Sequence, residues 1–172
     1  KTAYEIGVRL VGSEMCIRDR GIPFTDPIRL NQLGIENSFA QKPELSSVFI
    51  YDMIEACGGP AAFYKKYYIT SLSPLGFVKS GKNYNYYDDP QLIQRVRPFI
   101  ISNIETQLKF GADTSKVFCL GQGKNFEYLS KLNDEYHWWE RVIPLPHPRW
   151  VMQYRLKRKE EFVAEYKNAL MG

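Results

Sequence analysis

The 172-residue chain is poor in the side chains that hold metals or close disulfides, with three cysteines and two histidines in all. No CxxC pair and no His/Cys cluster at metal-ligand spacing occurs, so nothing points to a zinc site or a dithiol redox motif. Cys57 and Cys119 lie in apolar surroundings without a partner pattern, which argues against a disulfide and for a reducing, intracellular setting. Apolar runs fall well short of the ~20 residues needed for a membrane span, and no secretory signal pattern is visible. Repeats and low-complexity tracts are missing too. An acidic excess is also lacking: the formal net charge is +4, a mild basic balance that permits a nucleic-acid partner without requiring one. The expectation is a cytoplasmic, prokaryotic setting and a monomer, with no membrane, metal or cofactor.

The stretch LVGSEMCIRDRGIPF, Leu10 to Phe24, does not read as one continuous gene. Back-translated, Met15–Arg20 becomes atg tgt ata aga gac ag plus one free base, the end of a transposase-based sequencing adapter. Upstream, ctc gtg ggc tcg gag yields Leu10–Glu14. Further back, aag acg gca tac gag at yields Lys1–Ile6, the start of the same adapter, and a short index supplies Gly7, Val8 and part of Arg9. Residues 1–20 are thus expected to be a translated, non-native segment, with one N-terminally truncated domain over residues 21–172. A competing reading takes IGVRLVG as an ordinary apolar β-strand, but strand propensity does not account for the codons. Setting residues 1–20 aside removes four basic and three acidic groups, and the balance stays mildly basic.

Beyond Gly21, about 150 residues can bury one substantial core. After the loop GIPFTDP, Leu45–Cys57 carries Val48, Phe49, Met53 and Ile54 at helical spacing and stops at Gly58-Gly59. GPAAFYKKYY begins a short helix, and YYITSLSPL reads as a buried strand entering a proline loop. DDPQLIQRVRPFIISNIETQLKFG has an Asp cap, Pro90 in the first turn and Gly111 beyond the end, which predicts a long helix with a bend at Pro98. KVFCLG is a strand, KNFEYLSKLNDEY a helix, RVIPLP extended, and RKEEFVAEYKNAL a terminal helix. Strands alternating with helices predict a parallel sheet covered on both faces, an α/β/α arrangement. Ligands of such sheets sit beyond the carboxyl ends of the strands, here SLSPLGF, GQGKN and PHPRW.

In PLPHPRWVMQYRLKRK, His147 stands between two prolines at a strand end. Prolines restrict the backbone and lower the entropy lost in holding one imidazole geometry, which suits a rigid hydrogen-bond donor. A lone histidine more often satisfies loop carbonyls. Its neighbours favour function here, because Arg149, Arg155, Lys157, Arg158 and Lys159 interleave with Trp150 and Tyr154 as charge and stacking surface do in nucleic-acid binders. The plainer reading of that run is a solvated helix start, partly neutralised by Glu160 and Glu161. CLGQGKNF sets Gly121, Gly123 and Lys124 at a strand-to-helix turn that could meet a phosphate, although a tight turn needing glycine is the better explanation and P-loop spacing is absent. SGKNYNYY offers Gly81, Lys82 and Asn83 beside tyrosines, a backbone-tracking segment or a polar loop. His137, in EYHWWE, reads as structural.

Three of these pieces in this order, GIPF, SLSPLGFVKSGKN and GQGKN with PLPHPR, resemble the uracil-DNA glycosylase superfamily and within it the single-strand-selective monofunctional branch. The resemblance covers nearly all of residues 21–172. It implies a short parallel four-stranded sheet between helices and an enzyme that flips a base out of DNA and hydrolyses its glycosidic bond without a lyase step. By position it implies that Phe24 stacks on the extruded base and that His147 hydrogen-bonds the base carbonyl on which charge grows. Gly81, Lys82, Asn83, Gly121, Gly123 and Lys124 would support the DNA backbone, and Arg149 and Trp150 would stand where the family carries its duplex-penetrating wedge. The departures are equally specific. The family's Gly-x-Asn-Pro-Gly motif, whose Asn positions the attacking water, falls where residues 1–20 stand, and those contain no Asn. The central strand feeding that motif is expected to be missing or replaced. The base-reading Asn falls at Ser71, which loosens uracil selectivity toward other deaminated bases such as xanthine or hypoxanthine. The Ser-Pro between His-Pro and Arg is lacking.

The expected function is hydrolysis of the N-glycosidic bond of uracil or a related deaminated base in DNA repair, with this chain inactive for want of the Asn. The alternative from another class is a non-catalytic nucleic-acid-binding module built from the same basic and aromatic loops. A small-molecule enzyme with Cys119 as nucleophile is a weaker third reading, since the thiol sits mid-strand with no base beside it.

Overall fold

The computed structural model describes residues 8–12, 23–73, 75, 77–79 and 82–172, with the backbone path alone at 8–12, 78–79 and 82–83. It divides into two compact units, one comprising the N-terminal segment and Tyr64–Leu145, the other Phe24–Phe63 and Pro146–Gly172.

The first unit holds a four-stranded parallel sheet. Its strands are β1 (Val8–Gly12), β2 (Tyr67–Ser71), β5 (Lys116–Leu120) and β6 (Arg141–Leu145), in the order β2-β1-β5-β6. Leu10 is in register with Ile69 on one side and Phe118 on the other, and Phe118 with Ile143. The slot that the resemblance leaves for a central strand is therefore occupied by Val8–Gly12, the stretch whose β-branched and apolar residues also read as a strand. Filling it gives the facing edges of β2 and β5 a backbone partner, where an empty slot would leave two open ladders. Pro144, which cannot donate to a ladder, sits in edge strand β6, where its nitrogen costs nothing.

Between β2 and β5 the chain forms an antiparallel hairpin, β3 (Phe77–Lys79) and β4 (Lys82–Tyr84), then a 3₁₀ turn at Tyr86–Asp88 and helix α4 (Pro90–Leu108). Asp89 caps α4, accepting from the amides of Gln91 at 2.8 Å and Leu92 at 3.3 Å, with Pro90 in the first turn. The helix runs continuously through Pro98. Helix α5 (Lys124–Tyr136) leads into β6 through a corner closed by Asn133, which accepts from the Trp139 amide at 2.9 Å and donates to the Trp139 carbonyl at 2.8 Å. His137 takes the left-handed conformation after α5, φ 52°, and its amide donates to the Asn133 carbonyl, the structural role expected of it. The core of this unit joins Val96, Ile100 and Ile104 of α4 to Val117 and Cys119 of β5 and to Leu129 and Leu132 of α5. Tyr86 is buried among them, its hydroxyl donating to Asn125 at 2.7 Å.

The second unit is helical. It contains α1 (Pro27–Gln32), α2 (Leu45–Ala56), the single turn α3 (Pro60–Phe63), α6 (Pro148–Tyr154), a 3₁₀ turn (Leu156–Arg158) and α7 (Lys159–Met171). Helix α2 buries Phe49, Ile50, Met53 and Ile54 completely and packs on both α6 and α7, with Phe49 edge-on to Tyr166 at 5.1 Å. A helix buried on most of its circumference shows little sidedness in its sequence. It ends at Gly58 and Gly59, both at positive φ, and the Gly59 amide donates to the Ile54 carbonyl at 3.0 Å. No described helix is long and apolar enough to cross a membrane.

Candidate active site

His147 is placed by the chain on both sides of it. β6 ends at Leu145, and the Pro146 carbonyl then accepts a hydrogen bond from the hydroxyl of Tyr166, a fully buried residue of α7. On the other side Pro148 begins α6, and His147 is the residue that caps it: its Nδ1 accepts from the Arg149 amide at 3.1 Å. A ring nitrogen that accepts from an amide carries no proton, so the hydrogen-bond network assigns the proton to Nε2. Burial, and then the positive charge of Arg149, push the imidazole down from 6.5 to about 4. At neutral pH His147 is thus an uncharged ring of one tautomer that offers an N–H through Nε2. The two prolines read from the sequence as a rigidifying frame do frame it; the capping bond and the tautomer are what the structure adds.

Phe24 belongs to the same unit, its ring centroid 6.3 Å from that of His147 and tilted by 60°. Its side chain is 1% exposed and its backbone is left-handed, φ 55°, a conformation that costs a non-glycine residue about 1–2 kcal/mol. The next residues show what holds it there. Asp26, with no exposed surface, accepts from the Arg29 amide at 2.9 Å through Oδ1 and from the Glu44 amide at 3.0 Å through Oδ2, and lies 3.7 Å from the Arg29 guanidinium. One buried carboxylate therefore caps α1 and ties the loop ahead of α2 to it. The Asp-Pro pair in FTDP is a sequence signal for such a cap; the second bond, eighteen residues away, has no local signal.

In the first unit, Ser71 ends β2 and is buried, its Oγ donating to the Ser73 carbonyl at 2.7 Å. Its only hydroxyl proton is thereby committed, which leaves Ser71 as an acceptor. Ser73 is fully buried and its Oγ has no partner among the described residues. Gly121 follows β5 at φ 145°, and its amide donates to the Leu145 carbonyl at 2.9 Å, joining the ends of β5 and β6. Gly123 stands at the N-terminus of α5, where an added Cβ would meet nothing within 4 Å. Steric need explains Gly121 and does not explain Gly123. Lys124 opens α5 and pairs with Asp88 at 3.2 Å. With Lys131, Glu127, Tyr128, Tyr87 and Ile93 it lines an open groove of about 340 Å³. Lys82 and Asn83 lie on β4, a hairpin where a loop was expected; their side chains, and Gly81 altogether, fall outside the described residues.

Arg149 and Trp150 lie in the first turn of α6. The Trp150 ring meets Phe162 edge-on at 5.9 Å and has the Arg155 guanidinium 4.9 Å from its centroid. Cys119 is buried in β5, and burial pushes its thiol up to about 12, so the nucleophilic thiolate is not formed near neutral pH. No group of three or more metal-ligating side chains comes together among the described residues.

Residues 13–171 match the family model described as the uracil DNA glycosylase superfamily. The chain belongs to that superfamily. The crystal structure of wild-type Pedobacter heparinus SMUG2 is similar to it with a TM-score of 0.88 and 42% identity, over 96% of this chain and 74% of that one. That likeness places the chain in the SMUG-like branch and bears out the α/β fold with a short parallel sheet. No curated protein matches it. Membership brings the class of activity with it: DNA glycosylases are hydrolases of DNA repair, and DNA is their partner.

Proposed function

We propose that the parent of this chain is a monofunctional glycosylase that releases uracil or a related deaminated base from DNA, and that the chain itself is catalytically silent. The observation that carries the first part is the hydrogen bond from the Arg149 amide to Nδ1 of His147, which leaves the ring proton on Nε2. When the base is uracil, the electron pair of the breaking bond between C1′ and N1 leaves with the base, and negative charge gathers on O2, the carbonyl oxygen next to that nitrogen. An Nε2–H held by two prolines, a capping bond and the Tyr166 anchor is a preorganised donor for that oxygen, and its neutrality persists across the physiological pH range. Removing one such donor costs roughly 10²–10³ in rate in other enzymes. Phe24 supplies a ring for the base to stack on once its face, buried in the chain as it stands, is uncovered, and the strained backbone that carries it is the kind of outlier that functional loops retain.

By the resemblance, Ser71 stands at the base-reading position and bears on which base is taken. With its proton given to Ser73, it can accept from a ring N–H but cannot donate to a ring nitrogen. Uracil, hypoxanthine and xanthine all carry an N–H on the pairing edge, whereas cytosine and adenine carry a bare nitrogen there. An acceptor-only serine therefore favours uracil and hypoxanthine over cytosine and adenine, does not by this contact separate xanthine from guanine, which keeps its N–H, and does not single out uracil, as an Asn with both a donor and an acceptor can. The silent state follows from residues 1–20, which contain no Asn to orient water; Val8–Gly12 supplies a strand and no such group. A binding module without turnover is the competing reading of the same surface.

The test is base release from oligonucleotides bearing uracil, hypoxanthine or xanthine, using the 172-residue chain and a version whose residues 1–20 are replaced by a strand ending in Gly-x-Asn-Pro-Gly. Release by the second protein alone, and from more than one base, is the expected result. Release by neither would favour the binding module.

A further inference from the structure

The turn from α6 into α7 exposes large apolar side chains and cations together, and the site described above makes no use of most of it. Tyr154 is 66% exposed and Leu156 58%, against 39% for Trp150. Trp150 is also already engaged, with Phe162 at its edge and Arg155 over its ring. Arg155 in turn donates its amide to the Val151 carbonyl at 2.8 Å and its guanidinium to the Tyr154 carbonyl at 2.9 Å, which closes the last turn of α6 around Tyr154 while its ring stands out. The cations that follow differ in their commitments. Arg158 pairs with Glu161 at 2.8 Å, and Lys159 with Asp52 at 2.8 Å and Glu160 at 3.2 Å. Lys157, between Leu156 and Arg158, makes no ion pair among the described residues.

A ring held out from a short, fixed turn, with an uncommitted ammonium three residues on, matches an unstacked nucleotide: the ring meets the face of the base and the ammonium meets a phosphate. An apolar protein partner would gain nothing from the cations. A second copy of this chain would set Arg155 and Lys157 against their own counterparts. We propose that Tyr154, with Leu156 beside it, is a stacking platform for an unpaired nucleotide of the DNA strand and that Lys157 is its phosphate contact. The proposal rests on the DNA reading above. It assigns base stacking outside the scissile nucleotide to a residue one helical turn beyond Trp150, where the resemblance locates the wedge.

Binding of a labelled single-stranded oligonucleotide to the 172-residue chain, followed by fluorescence anisotropy, tests it without any need for turnover. Tyr154→Ala should weaken binding roughly tenfold or more and abolish the quenching of a 2-aminopurine placed in the strand, whereas Tyr154→Phe should stay near wild type, since a ring face suffices. Lys157→Ala should weaken binding at low salt and flatten the dependence of log affinity on log salt by about 0.7. These side chains are exposed, so the variants should fold; Leu156→Ala, with a smaller loss, provides a second reading of the same surface. Wild-type binding with an unaffected Tyr154→Ala overturns the platform while leaving the DNA reading intact. Equal losses in Tyr154→Ala and Tyr154→Phe would also overturn it, by pointing to the hydroxyl. So would sedimentation of a wild-type dimer that Tyr154→Ala dissolves. No binding of any oligonucleotide by the wild type at low salt sinks the DNA reading itself.

Discussion

Lowering the pH should destabilise this protein through His147 in a window that its surroundings define. In the folded chain burial and Arg149 hold the imidazole neutral down to about 4, whereas an unfolded chain protonates it near 6.5. Above 6.5 both states are neutral and the group is silent. Between 6.5 and 4 the unfolded state binds the extra proton, so stability falls as pH falls; below 4 both states are protonated and the loss is complete. An interval of about 2.5 pH units at about 1.4 kcal/mol each caps the loss at about 3.5 kcal/mol, and the partial exposure of His147 brings the expected figure to about 2 kcal/mol. Urea unfolding of wild type and His147→Gln at a series of pH values from 7.5 to 4.5 isolates it, because carboxylate effects are common to both proteins. Wild type should lose about 2 kcal/mol more than the variant across that range. The imidazole resonances, assigned with His147→Gln, should show a midpoint near 4. Parallel stability curves together with a midpoint near 6.5 would refute the burial argument and, with it, the assignment of a fixed neutral donor.

Two further outcomes follow from buried groups. Asp26→Ala removes a helix cap and a second charge-assisted bond to the Glu44 amide, so it should cost about 3 kcal/mol in a urea melt, with Asp26→Asn recovering part; a change below 1 kcal/mol would contradict that role. Cys119, buried and with its thiol held at about 12, should resist iodoacetamide at pH 8 until the protein unfolds. Rapid labelling of the native chain at that position, read by mass spectrometry, would reopen the thiol as a reactive group.

Much of the fold is legible because punctuation and periodicity agree. Asp89-Pro90 and Gly111 bracket α4, Gly58-Gly59 stops α2, and KVFCL is too short and too apolar for anything but a buried strand. The parts that are not legible fail for identifiable reasons. β3 and β4 have three residues each, too few for a period of two to show among glycine, lysine and asparagine. Helix α1 is a six-residue element whose Asp-Pro signal lies inside what reads as a loop. Pro98 does not end α4, which runs on through it, since packing of Val96, Ile100 and Ile104 can outweigh one missing amide bond. At the site, the prolines around His147 are visible in the sequence; the tautomer depends on which nitrogen the Arg149 amide reaches, a matter of backbone geometry. Likewise SLS announces two hydroxyls, and only the coordinates show that one spends its proton on the backbone of the other.

The central claim is that His147 stabilises the departing base as a neutral donor. The most direct measurement is single-turnover release of uracil from an oligonucleotide by the chain carrying a Gly-x-Asn-Pro-Gly strand in place of residues 1–20, with and without His147→Ala. Excision should fall by roughly 10²–10³ in the variant while DNA affinity changes little. Excision that proceeds equally well without the imidazole would contradict it.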